Sequence, residues 1–106
     1  MTEKLDVLFR FSRGEVTAVF PSECGTDEYD FTCYAHIGQH GSCSRQWYNT
    51  TRKAKPAQYE ALFTELRGIY APEYDLVVKS RMTGRHAEAR KAQMRRMSAG
   101  KVESSP

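Results

Sequence analysis

The sequence predicts an α+β domain: a two-layer, mostly antiparallel sheet of four to five strands in the order β-β-β-β-α-β-α, with one amphipathic helix on a sheet face and a basic C-terminal helix. Three observations predict it. Residues 5–11 and 16–20 alternate apolar and polar side chains around a glycine turn, residues 56–68 carry apolar side chains at helical spacing, and residues 83–97 are rich in helix formers but poor in apolar ones. Alternation marks a half-buried strand, whereas apolar positions at i, i+3, i+4 and i+7 mark one buried helix face. A chain of 106 residues supports a single core.

In the first strand Leu5, Val7, Phe9 and Phe11 share a face. Gly14 can take positive φ, and Val16, Ala18 and Phe20 alternate after it, so the two runs read as a hairpin. Pro21 has no N–H for a ladder and ends the second strand; residues 21–29 then read as a loop because Pro, Ser, Gly and Asp favour turns. A third strand spans 30–37, with Phe31, Cys33, Ala35 and Ile37 toward the core and Tyr34 and His36 away from it. Residues 38–44 read as a glycine loop, and 46–51, with Trp47, Tyr48 and two threonines, as a polar edge strand.

Pro56 suits the first turn of a helix, where its missing N–H removes nothing. Tyr59, Leu62, Phe63 and Leu66 form its buried stripe against Val7, Phe9, Phe11, Val16, Ala18 and Phe20, and Gly68 is placed to end it. Residues 74–79 read as a last strand. Thr83 can cap a second helix reaching Met97, whose thin stripe of Ala87, Met94 and Met97 predicts exposure, fraying or packing on a partner subunit in a homodimer. The organisation expected is therefore a domain over 1–80, a basic helix over 81–99 and a disordered tail over 100–106.

Charge divides the chain. Residues 1–78 hold eight Lys/Arg against eleven Asp/Glu, a net −3, whereas residues 79–101 hold eight Lys/Arg against Glu88 alone, a net +7. Such asymmetry predicts a polyanionic partner for the basic part, or its folding over the acidic body. No run approaches the roughly 18 apolar residues of a membrane span, and the acidic, apolar-poor start lacks the pattern of a secretory signal. With an odd count of three cysteines, this predicts a cytoplasmic protein with free thiols.

Residues 33–43 concentrate the unusual chemistry. Cys33, His36, His40 and Cys43 follow a Cys-x2-His-x3-His-x2-Cys spacing whose ligand types suit zinc, with Cys24 as a further contributor. Strand alternation argues against it, since Cys33 and His36 fall on opposite faces roughly 10 Å apart. A thiol nucleophile at Cys43 with His40 as base lacks a group to orient the imidazole. No metal, cofactor or catalytic residue is therefore assigned. Recognition is the reading preferred over metal and catalysis: Tyr34, His36, Gln39, His40 and Trp47 offer aromatic and amide contact area, the equal alternative being that the C-terminal helix covers this face. The basic helix adds Arg85, Arg90, Lys91, Arg95 and Arg96, which spread too widely around it for a membrane-surface helix but suit phosphate contact.

The segment His36-Ile37-Gly38-Gln39-His40-Gly41, preceded by Val19-Phe20-Pro21 and followed by Pro56, Tyr59, Leu62 and Glu65-Leu66, resembles a family of small proteins of unknown function from bacterial chromosomes, phages and plasmids. The likeness covers roughly residues 7–80 by those motif positions and leaves the basic helix outside it. It implies an α+β domain and a mobile-element setting, where small proteins often bind and inhibit host machinery such as defence complexes, and it implies no catalytic residue. The function expected is a non-enzymatic binding protein that engages a host protein, nucleic acid or nucleoprotein complex. The alternative expected is a small zinc domain or hydrolase centred on the Cys/His stretch.

Overall fold

The computed structural model describes residues 3–35 and 39–103. His36 lies outside them. The elements are β1 (Glu3–Ser12), β2 (Glu15–Cys24), β3 (Phe31–Ala35), β4 (Gln39–Cys43), α1 (Arg45–Thr50), β5 (Arg52–Lys53), α2 (Pro56–Tyr70), β6 (Tyr74–Val78) and α3 (Gly84–Glu103). The sheet runs β4-β3-β2-β1-β5, with antiparallel neighbours, while β6 pairs in parallel with the first half of β1. The α+β class, the mostly antiparallel sheet and the amphipathic helix on one face are as the sequence predicts.

The β1–β2 hairpin closes through Arg13 and Gly14, at φ 52° and 79°. Positive φ at both central residues is the two-residue turn whose twist matches the strands. Beyond it Phe9 lies opposite Ala18 and Leu8 opposite Val19, and directly opposed residues share a face. Leu5, Val7, Phe9, Ala18 and Phe20 thus line one face, where Leu62 and Leu66 of α2 bury against them. Phe9 stacks on Tyr59 at 4.4 Å between ring centroids.

Several expectations are corrected. β2 does not stop at Pro21; it continues to Cys24 through an irregularity in register between Phe20 and Cys24. A proline is tolerated where the ladder is interrupted, because no partner there requires its N–H. Residues 39–43 are a strand, and 45–50 are a helix instead of an edge strand. The side chain of Ser44 accepts a hydrogen bond from the Trp47 N–H at 3.1 Å, and this cap, with Trp47 and Tyr48 packed near Phe31, overrides the strand preference of the aromatics. Gly68 is interior to α2, which runs on to Tyr70 so that Tyr70 reaches Phe20 at 5.3 Å. The basic helix likewise passes Gly100 to end at Glu103.

The face assignment within β3 also reverses. Ala18 opposes Tyr34, and Val19 opposes Cys33, so Tyr34 joins the core under α2 while Cys33 faces the opposite side. Both faces of the sheet carry apolar residues, because α2 covers one while α1 and α3 cover the other. Alternation alone could not say which set belonged to which.

Leu66 is fully buried at the centre of the α2 stripe. Leu66→Ala should lower unfolding stability by about 2–5 kcal/mol, read as an earlier midpoint in urea. A stability within about 0.5 kcal/mol of the parent would mean that this helix is not seated as described.

Candidate functional site

The basic helix α3 docks on the sheet face opposite α2, and it does so with polar side chains. His86, Arg90 and Gln93 fall at i, i+4 and i+7, one face of a helix, and each reaches a different part of the sheet. The backbone N–H of Thr83 donates to Nδ1 of His86 at 3.0 Å, while Nε2 lies 2.8 Å from Oδ2 of Asp6. Because Nδ1 accepts, the ring proton sits on Nε2 and points at the carboxylate. Arg90 donates from Nε to the Glu28 carbonyl at 3.0 Å and from its terminal nitrogen to the Pro21 carbonyl. Its guanidinium also lies over the Phe31 ring at 4.5 Å. Gln93 accepts from the Cys24 N–H at 2.7 Å and donates to Glu23.

These contacts answer a need created by the sheet. Where β2 shifts register after Phe20, the Pro21 carbonyl and the Cys24 N–H are bonded by α3 side chains, and buried backbone groups left without partners are costly. Ala87, Ala89 and Ala92 suit such an approach, since small residues let the helix axis come near the strands. Arg90 is accordingly only 6% exposed. Burial lowers its pKa from the ordinary arginine value, and the nearby Arg45 adds to the lowering against an opposing influence of Cys24. Arg90, expected as a binding residue, is a structural anchor, and α3 packs on its own sheet.

Removing Arg90 from the cationic group changes the shape of what remains. At roughly 100° per residue, Arg85, Lys91, Arg95 and Arg96 occupy an arc of about 140° on the outward side, where all four are exposed. Among the described residues the sole basic–acidic side-chain contact within 4.0 Å is the hydrogen bond of His86 to Asp6, so none of these four cations has a carboxylate within ion-pair distance. Glu28 and Glu88 border a shallow cleft beside Lys91, Met94, Arg95 and Ser98, which limits the acidic contribution to one flank of the face.

The aromatic and histidine residues do not gather into one patch. Tyr34 is 3% exposed and donates its hydroxyl to Glu65. Its pKa is raised, foremost because that hydrogen bond holds the proton, then by burial and the charge of Glu65. It therefore offers no free contact area. His40 is exposed on the same face, with Nε2 2.9 Å from the Tyr70 hydroxyl, and Tyr70 is itself raised in pKa by burial and by Glu23. Gln39 opposes Ala35 at the start of β4. Trp47 lies across the sheet, half-buried beside Phe31 and Tyr48.

The same alternation divides the zinc quartet. His40 opposes Tyr34, while Cys43 opposes Phe31 and Cys33 opposes Gly41, so His40 and the two thiols project from opposite faces. Among the described residues no group of three metal-binding side chains converges. Nor does His40 lie beside Cys43 as a base.

Arg90→Ala should leave the Pro21 and Glu28 carbonyls short of donors and cost about 1–3 kcal/mol. Its first sign should be faster tryptic cleavage within 85–96, followed by intact mass, whereas Arg95→Ala should leave the remaining sites as protected as before. Unchanged cleavage in Arg90→Ala would show that the helix is held by other means.

Comparison with family models, curated proteins and solved structures finds no match.

Proposed function

We propose that the chain is a non-enzymatic binding protein that presents the outward face of α3 to the phosphate backbone of a nucleic acid, alone or within a nucleoprotein complex. One observation carries this: Arg85, Lys91, Arg95 and Arg96 are exposed on a single arc while the inner face of the same helix is fastened by His86, Arg90 and Gln93. A held helix keeps its cations in fixed relative positions, so less ordering entropy is lost on binding than with a free tail. Distributed Arg and Lys contacts neutralise phosphates without reading base edges, so the binding is general in sequence. No helix of the described residues is long and apolar enough to cross a membrane.

The likeness of the His36–Gly41 segment to proteins of phages and plasmids supports a mobile-element setting. There the chain acts as a modulator or inhibitor of a host complex that handles nucleic acid, a defence system being one such complex. Catalysis has no support from the described arrangement, since His40 and the thiols project from different faces.

Fluorescence anisotropy with a labelled duplex of arbitrary sequence tests the reading. Four phosphate contacts give a salt slope of about −3.6 on logarithmic axes, a loss of roughly 100-fold between 50 and 200 mM salt. The combined Arg85→Glu, Lys91→Glu, Arg95→Glu and Arg96→Glu variant should abolish binding while its far-UV circular dichroism stays that of the parent. Binding that survives the four reversals, or that ignores salt, overturns the proposal.

A further inference from the structure

We propose that Cys33 and Cys43 form a peroxide-reactive dithiol site, in which Cys33 attacks the oxidant and Cys43 resolves the product as an intramolecular disulfide. The site is distinct from the face of α3 and independent of the binding function.

Strand register brings the two cysteines together. Cys33 opposes Gly41 and Cys43 opposes Phe31, so they are diagonal neighbours on one face of the β3–β4 pair. Gly41 leaves the position across from Cys33 without a side chain; a Cβ there would sit 4.0 Å from the Cys33 sulfur. The Cys43 side chain leaves the same face diagonal to Cys33 and lines the same cleft, within thiol–thiol hydrogen-bonding reach. Both residues are half-buried and line an open cleft with Thr17, Ala35, Ser44 and Trp47, so a molecule the size of hydrogen peroxide reaches them. Cys24, 8% exposed in the core, is not among the lining residues.

The pair is asymmetric in the sense the chemistry needs. The hydrogen bond from Cys43 pulls the Cys33 thiol below the ordinary cysteine value, against burial, which raises it. The same bond holds the proton on Cys43, and burial, the charge on Cys33 and Asp30 raise that thiol further. Cys33 is thus the more readily ionised of the two thiols, and the thiolate is the nucleophile.

The steps balance with hydrogen peroxide as the oxidant. The Cys33 thiolate attacks one peroxide oxygen, the O–O bond breaks, and hydroxide leaves, giving a sulfenic acid at Cys33. The Cys43 sulfur then attacks the Cys33 sulfur, the S–O bond breaks, and the oxygen departs as water with the Cys43 proton. Overall two thiols and one peroxide become one disulfide and two waters. Diagonal partners have Cα atoms about 7–8 Å apart, beyond the roughly 4.4–6.8 Å that a relaxed disulfide spans. The link therefore draws β4 toward β3 and is strained, which makes it readily reduced and the modification reversible.

Reduced full-length protein treated with hydrogen peroxide and read by intact mass and peptide sequencing tests this. The parent and Cys24→Ser should each lose two hydrogens, carry a Cys33–Cys43 link and return to thiols in reduced glutathione. Cys43→Ser should instead gain one oxygen at Cys33 that dimedone traps, and Cys33→Ser should show neither product. Because a variant can misfold, the untouched parent supplies a second reading: limiting iodoacetamide should modify Cys33 ahead of Cys43 and Cys24. Its rate at Cys33 should persist below pH about 8.5, where an ordinary thiol loses its thiolate. A parent that gains oxygen without forming the link, links through Cys24, resists peroxide, or alkylates its three cysteines at equal rates overturns the proposal.

Discussion

Interrupting a β-ladder in the interior leaves backbone groups that must find partners, and in this protein they find them on α3. The register shift after Phe20 allows Pro21 to sit within β2, and it leaves the Pro21 carbonyl and the Cys24 N–H to Arg90 and Gln93. A stretch of strand that would be a defect in an isolated sheet thus becomes the socket of a helix. The residues that fill it are polar because the groups they meet are polar. The thin apolar stripe of α3 is therefore no sign of weak docking: hydrogen bonding at the irregular strand supplies specificity that burial of Ala87 and Met94 could not.

The division of labour within α3 follows. Residues with one chemical character serve two purposes according to the side of the helix on which they stand. Arg90 is folded into the structure, stacked over Phe31 and bonded to two carbonyls, whereas Arg85, Lys91, Arg95 and Arg96 stay in solvent. Composition sees one cationic run; geometry separates an anchor from a surface.

How much of this was legible in the sequence depends on whether the deciding contact was apolar and local. α2 was legible because Leu62 and Leu66 are placed by helical spacing alone and Pro56 marks its start. The β1–β2 hairpin was legible because Gly14 announces a turn between two alternating runs. The facing of Tyr34 was not, since it depends on its pairing with Ala18 and both sides of the sheet are covered. α1 was missed because Trp47 and Tyr48 favour strands intrinsically, although Ser44 preceding them was a readable cap. The sequence signal that could have found the anchors was the His86, Arg90, Gln93 spacing, a polar stripe on a helix whose other side is charged. The spacing of the zinc quartet carries its own counter-signal in its parity, because residues 40 and 43 fall on opposite faces of β4.

The bond between His86 and Asp6 joins points 80 residues apart in the chain. Loop closure over such a span costs entropy that only a preassembled target repays. The socket exists only once β1, β2 and β3 have paired, so α3 has no complete docking surface before that pairing. The charged surface is consequently a property of the finished tertiary structure, and chains whose sheet has not yet formed do not display it.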